Sequence, residues 1–281
     1  SLPGLRRHFL LSATEAEEIP RFVHMGRVEK IDYRMDEEQV PERVHIYKVE
    51  SPVKDKLESL GRLLRSLGET STIVFLNYRD SVERTNNYLV EQGFSTSFFH
   101  GGLEQKEREA SLYRFSNGSA NILVSTDLAS RGLDIPDIDN IIHYHIPESE
   151  DGYIHRVGRT ARWEAQGRAF FLLGPEEHIP EYVDAEVEEY EIPAVEELPA
   201  PAKPKMATLY IGKGKKDKIS KGDILGFLCK KGGLNSSEIG KIDVNDRYAY
   251  AAIARPKLKS VLNNVKGEKI KGVKTIVEEV R

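Results

Sequence analysis

Residues 44 to 173 alternate short apolar runs with amphipathic stretches, and this alternation restricts the possible folds more than any other feature of the chain. His45–Val49, Thr72–Leu76, Thr96–Phe99, Asn121–Ser125, Asn140–Tyr144 and Arg168–Leu173 are apolar at nearly every position. That is the pattern of parallel strands buried on both faces. Between them, Lys56–Leu67, Ser81–Gln92 and Glu104–Ser116 have helical spacing. The pattern predicts an α/β domain over residues 28–190, a parallel sheet with helices on both faces. In such sheets ligands bind beyond the carboxyl ends of the strands.

The chain changes character after this domain. Residues 176 to 197 are acidic, and Pro193, Pro199, Pro201 and Pro204 follow closely, so residues 191–206 read as an extended acidic, proline-rich linker. Residues 207–281 follow another plan. Thr208–Gly212, Ile239–Val244, Tyr248–Ile253 and Val273–Val280 read as strands. Ser220 with Asp223 can cap one helix, and Leu258, Val261, Leu262 and Val265 mark a second. The order is βαββαβ, a small α+β domain.

Charge separates along the same line. From Lys203 to Arg281 there are 19 Lys and Arg against 8 Asp and Glu, whereas the remainder holds 22 against 37. A basic domain on an acidic one suggests a polyanion for the small domain, with a solvated lysine-rich surface as the alternative. No apolar run reaches the roughly 18 residues that a spanning helix needs, so no membrane association is expected. The single cysteine, Cys229, fits a reducing, cytoplasmic setting.

Two segments carry groups suited to phosphate chemistry. In Asn121–Pro136 a buried strand runs into Thr126, followed by Arg131, Gly132 and Asp134. A hydroxyl and a bare glycine amide can approach a phosphate oxygen closely. A structural turn with Asp134 as a backbone cap is the alternative. In Tyr153–Arg162, Arg156, Arg159 and Arg162 recur every three residues, along one side of a helical turn. Arginine forks match phosphate oxygens, although pairing with Glu148, Glu150 and Asp151 would also account for them.

Taken in order, these segments resemble the second RecA-like domain of DEAD-box RNA helicases. Ser12-Ala13-Thr14 matches motif III of that family, at the end of a first motor domain over residues 1–27. Ile73–Arg79 resembles motif IV, and His100–Arg108 contains a Gln105-x-x-Arg108 motif. Ser125–Asp134 matches motif V, and His155–Arg162 matches motif VI. The departures are Ala161 in place of a glycine, and Trp163-Glu164 in place of a small pair. The resemblance implies that Arg159 and Arg162 are catalytic arginine fingers and that Asp134 contacts the ribose of ATP. It implies that Ser12, Thr14, His155 and Arg156 couple ATP to RNA between domains. Arg108, Thr126, Arg131 and Gly132 would hold the RNA backbone. ATP and Mg2+ would be held mainly by the first motor domain, because the chain contains no phosphate loop and no Asp-Glu-Ala-Asp. Gly267–Thr275 only approaches a phosphate-loop pattern and lacks the strand-loop-helix context. No metal ligands are assigned in this chain, and alone it is expected to be inactive.

The small domain resembles an RNA-recognition motif, with Leu209–Gly212 and Arg247–Ile253 approximating its two signature strands. Tyr210, Tyr248 and Tyr250 would share one sheet face, where bases could stack. Tyrosine is also an ordinary strand former. Thr208–Lys241 further resembles the C-terminal domain of DbpA-type helicases, which act on large-subunit ribosomal RNA during ribosome assembly. Lys213, Lys215, Lys216, Lys218 and Lys221 fit phosphate contacts or a solvated loop. The expected function is RNA-stimulated ATP hydrolysis coupled to local unwinding of structured ribosomal RNA. The alternatives are a non-enzymatic RNA-binding protein on a RecA-like scaffold and a DNA helicase of the same superfamily. Oligomeric state is not legible.

Overall fold

The structure, a computed structural model, describes residues 40, 43–133, 135–161 and 166–281. The first domain runs β1 (Val44–Glu50), α1 (Leu57–Leu67), β2 (Thr72–Phe75), α2 (Arg79–Glu91), β3 (Thr96–Phe99), α3 (Gln105–Ser116), β4 (Ile122–Ser125), β5 (Asn140–His143), α4 (Glu150–Val157), β6 (Gly167–Leu173) and β7 (Val187–Glu189). The strands form one seven-stranded sheet in the order β3-β4-β2-β5-β6-β1-β7, with parallel ladders throughout.

The period-two alternation of strand side chains divides the core between the two faces of the sheet. Val74, Val124, Ile142 and Leu172 meet Leu60, Leu63, Leu64, Val82 and Leu89 of α1 and α2. Ile73, Phe75, Leu123, Ile141 and Phe171 meet Phe115 of α3 and Tyr153 and Val157 of α4. With both faces covered, β2, β4 and β5 are buried at every position, which is why their sequences read as unbroken apolar runs. The edge strand β7 was not expected. It leaves Glu188 and Glu189 exposed, a charged rim that discourages pairing with another sheet.

The second domain runs β8 (Met206–Ile211), α5 (Lys221–Lys230), β9 (Ile239–Val244), β10 (Ala249–Ala254), α6 (Leu258–Val265), β11 (Lys269–Ile270), β12 (Val273–Lys274) and β13 (Val277–Val280). Its four-stranded sheet is antiparallel, in the order β13-β8-β10-β9. The expected capping box forms: Ser220 Oγ accepts from the Asp223 amide, and the Asp223 carboxylate accepts from the Ser220 amide. The last strand departs from expectation. Lys271 and Gly272 both take positive φ, 50° and 77°, and close a two-residue β11–β12 hairpin of the primed type before β13 begins.

Residues 191–205 are mostly extended, with one 3-10 turn at Val195–Glu197, but they are not a free tether. Arg65 donates to the Pro199 and Leu198 carbonyls at 2.7 and 3.0 Å, and Arg62 donates to the Pro193 carbonyl. Leu198 is buried, and Asn121 donates to the Ala202 carbonyl. The segment is a strap laid along α1. Charged donors to carbonyls contribute about 1.5–3 kcal/mol each when shielded, less at this half-exposed position. Arg65→Ala should therefore speed proteolytic cleavage within residues 194–205 several-fold while circular dichroism stays unchanged. Unchanged cleavage would show that the arginine does not hold the strap.

Candidate functional site

The loops after β2, β3, β4 and β5 lie side by side because those strands are neighbours in the sheet. They carry Asn77-Tyr78-Arg79, His100-Gly101-Gly102, Thr126–Gly132 and Tyr144–Ser149. Ser149 caps α4, accepting from the Gly152 amide at 3.1 Å, and so aims the motif VI helix at these loops.

Arg156 lies beneath the loops. Its side chain is 0% exposed, and its fork grips the Asp127 carboxylate through Nε at 2.5 Å and Nη2 at 3.0 Å. Nη2 also donates to Asn77 Oδ1 at 2.7 Å and Nη1 to the His145 carbonyl at 2.8 Å, with the guanidinium over the Phe75 ring. Residues of motifs IV, V and VI are thereby tied to one cation. Arg156, expected to couple ATP to RNA between domains, is fully buried here, with these bonds made inside its own domain. Asn77 and Asp127, which complete this brace, were not singled out by sequence, although both lie within recognised segments. Beside them, burial first and the Arg156 charge second hold His143 well below the usual imidazole pKa.

Helix α4 ends at Val157, and a helical turn continues it, the Arg159 amide bonding the Arg156 carbonyl at 3.2 Å. Arg159 follows in the turn, 5% exposed, and donates to the Ser130 carbonyl at 2.8 Å and to the Leu133 carbonyl at 2.9 Å. It thus sits against the residue preceding Asp134. Asp134, Arg162, Ser12 and Thr14 lie outside the described residues. Ala161, where the family pattern has glycine, takes φ 56°. A Cβ in the left-handed region costs about 1–2 kcal/mol, which supplies the physical reason for a glycine there.

Other expected contacts are distributed as follows. Arg108 donates to the carbonyls of Leu103 at 3.0 Å and Gly101 at 2.7 Å, shaping its own loop. Thr126 follows β4, its amide bonded to the Phe99 carbonyl. Gly132 has φ 64° with open space where a Cβ would stand, so its backbone is approachable. Arg131 pairs with Asp151, and His155 faces the same carboxylate at 3.2 Å. Among the described residues, no cluster of His, Cys, Asp and Glu suits a metal ion, and no helix is long and apolar enough to cross a membrane.

The tyrosines of the small domain do cluster. Tyr210 pairs with Tyr250 across the sheet and stacks on Tyr248 at 5.8 Å. Their face, however, is covered by α3. Tyr250 is 3% exposed and stacks on Tyr113 at 5.0 Å, and Tyr248 donates to Glu109 at 2.7 Å. Lys106 lies over the rings of Tyr210 and Tyr248. The Tyr113 hydroxyl donates to the Lys241 carbonyl, and Asn117 and Ser119 bond Thr208. Burial raises the phenol pKa of both Tyr113 and Tyr248, the Glu109 contact adding to the rise at Tyr248. The expected open base-stacking platform is therefore corrected in this arrangement. An aromatic sheet face buries well against an aromatic helix face, and sequence gives no sign of which partner takes it.

The basic segment remains exposed. Lys215 and Lys216 form a 3-10 turn whose amides bond the Asn245 and Asp246 carbonyls at 2.9 and 2.8 Å. Gly214 makes this close approach possible, since a Cβ there would collide with the Asn245 carbonyl. Lys216 lies 3.7 Å from Asp246 and Lys213 3.9 Å from Asp217, both loose surface pairs.

Two measurements test this geometry. Ala161→Gly should raise unfolding stability by about 1 kcal/mol, as relief of left-handed strain predicts; a loss on denaturant titration would contradict the strain. His145 accepts from the Asn77 amide, and burial, then the Lys56 ammonium, depress its pKa to about 4. The unfolded chain, with its imidazole near 6.5, takes up the proton first. Stability should therefore be complete above about pH 6.5 and fall progressively toward pH 4. His145→Gln should flatten part of that slope, and an unchanged slope would assign it to His143 alone.

Comparison with known proteins agrees with this geometry. Residues 55–164 match the helicase conserved C-terminal domain family, and residues 208–279 match the DbpA RNA binding domain family. The ATP-dependent RNA helicase DbpA of Escherichia coli (strain K12) is 34% identical over 278 residues, covering 96% of this chain and 60% of that protein. The DbpA of Bacillus subtilis (strain 168) is 29% identical over 300 residues, covering 96% and 62%. The ATP-dependent rRNA helicase RRP3 of Yarrowia lipolytica is 35% identical over 173 residues, covering 61% and 36%. The chain thus spans about three-fifths of the length of the DbpA proteins it matches. It carries a helicase conserved C-terminal domain whose arginines brace the motif IV and V loops, followed by a DbpA RNA binding domain, the arrangement of the C-terminal portion of a DEAD-box helicase of the DbpA type.

Proposed function

We propose that the protein of which this chain is a part hydrolyses ATP in response to RNA and uses the energy to open short RNA duplexes. The observation that carries this reading is the linkage of Arg156 and Arg159 to the loops after β2 and β4. A group that closes on one arginine moves the loops held by the other. The nucleotide would lie at the turn containing Arg159, with Asp134 at its ribose and Arg162 as the second finger. The residues present fit it: Arg159 is held at the strand ends by its bonds to the Ser130 and Leu133 carbonyls. A phosphate oxygen is a stronger acceptor than either. ATP would supply the transferable phosphoryl group, and Mg2+ would be held mainly by a first motor domain. Arginine positioned on developing charge stabilises the transition state electrostatically. Ser12, Thr14 and His155 would relay between domains.

The RNA backbone would lie across Arg108, Thr126, Arg131 and Gly132. The RRM-like small domain would bind structured RNA through Lys215 and Lys216, since its tyrosine face is occupied. Two of the relatives are DbpA helicases and one is named an rRNA helicase, which supports ribosomal RNA as the substrate class. The non-enzymatic alternative gains no specific observation.

In the protein carrying both motor domains, Arg159→Ala should lower ATP turnover by roughly 10³-fold or more. Arg159→Lys should rescue only partly, because a point charge lacks the planar fork. Near-normal turnover in Arg159→Ala, with RNA binding intact, would remove the finger assignment.

A further inference from the structure

The segment after β2, Asn77-Tyr78-Arg79, has no part in the function described so far beyond the bond from Asn77 to Arg156. Tyr78 is 61% exposed, the sole aromatic side chain among the strongly exposed large apolar residues described. Leu128, on the loop after the adjacent strand β4, is 44% exposed. The residues preceding them, Asn77 and Asp127, accept hydrogen bonds from the same Arg156 Nη2, at 2.7 and 3.0 Å. Tyr78 and Leu128 therefore flank one buried cation on neighbouring loops.

The tyrosine stands on a fixed base. The Asn77 amide donates to His145 Nδ1 at 3.0 Å, and Asn77 Nδ2 donates to the Ile146 carbonyl at 3.1 Å. Tyr78 itself is extended, φ −130° and ψ 142°, as the residue that opens α2, and its carbonyl accepts from the Val82 amide. Its ring meets the His145 ring edge-on at 5.6 Å, and His145 in turn meets Tyr144 at 5.2 Å. A ring supported in this way loses little freedom on binding a ligand.

Two arginines lie on the adjoining loops. The Arg79 guanidinium lies over Gly101, where a Cβ would come 2.7 Å from Nη2, and Arg108 donates to the Gly101 carbonyl. Two guanidinium groups thus converge on the loop after β3, and Arg131 lies farther along the loop that carries Leu128. A flat exposed ring among arginines suits a polyanion that also carries aromatic faces, which is single-stranded nucleic acid.

We infer that Tyr78, backed by Leu128, is a stacking ledge for one nucleobase of the RNA strand whose phosphates engage Arg79 and Arg108. This rests on the RNA reading of these loops given above. Stacking on a π-face is tolerant of base identity, so the ledge would fix the strand's position without selecting its sequence.

The test uses the 281-residue chain and a short single-stranded oligouridylate carrying 5-iodouridine, with crosslinked peptides mapped by mass spectrometry. Crosslinks are read locally because the basic segment of the small domain also binds the probe. A crosslink on Tyr78 is expected. Tyr78→Phe should preserve crosslinking of the neighbouring loops, and Tyr78→Ala should lower it about tenfold, within the range for loss of one base stack. Arg108→Ala should lower crosslinking on all these loops. If the loops after β3 and β4 crosslink, Tyr78 does not and Tyr78→Ala changes nothing, the ledge is wrong while RNA binding at this face stands. If no crosslink falls on any of these loops and Arg108→Ala has no effect, the RNA reading of the face fails and the ledge fails with it.

Discussion

A guanidinium moved out of water must have its charge neutralised and its donors matched, and Arg156 meets both demands with groups from three separate loops. Asp127 supplies the counter-charge, and Asn77 and the His145 carbonyl take the remaining bonds. Removing one partner of a buried pair leaves an uncompensated charge, which costs about 3–5 kcal/mol. The loops after β2, β4 and β5 are therefore held in one arrangement. The position of Arg159, the bared backbone at Gly132 and the presentation of Tyr78 all depend on that arrangement. A buried ion pair adds little net stability over apolar packing; its effect here is to fix geometry.

The second constraint is the joint between the domains. The strap pinned by Arg65 brings the chain past α1, and the tyrosine face of the small domain closes on α3. The same helix begins with Gln105 and Arg108, at the loop proposed to hold RNA. An RNA element captured by the basic turn at Lys215 would thus be presented to the motor domain at a set distance and angle. Electrostatics acts in the same sense. The acidic residues between 176 and 197 include the exposed edge strand β7, and the basic excess lies in the small domain. A polyanion is drawn to one part of the surface and repelled from the other.

The composition of the motor domain has a cost visible at one residue. Ala161 sits at φ 56° where glycine would be unstrained. The strain lies two residues beyond Arg159, in the turn that would close around a nucleotide. Local strain persists where the surroundings over-determine the backbone, and the Arg159 bonds to Ser130 and Leu133 are part of those surroundings.

The strands, the helices and their order were legible because a doubly covered parallel sheet requires continuous apolar runs, and amphipathic helices require their own period. The βαββαβ plan, the Ser220 cap and the family motifs were legible for the same reason: each is written in a local run of residues. The roles within those motifs were less so. Sequence placed Arg156, Arg159 and Arg162 at a spacing of three, but only the fold shows that Arg156 is buried beneath the loops after β2, β4 and β5. Sequence put three tyrosines on one sheet face and was correct about the face, yet only the packing of α3 against it decided that the face is covered. The prolines of residues 191–206 announced an extended segment, and only Arg62 and Arg65 made it a strap. Local pattern thus determined which elements form and which side chains lie on which face. Tertiary structure decided what each face meets, because burial and pairing depend on groups brought together from distant parts of the chain, and no run of neighbouring residues encodes that meeting.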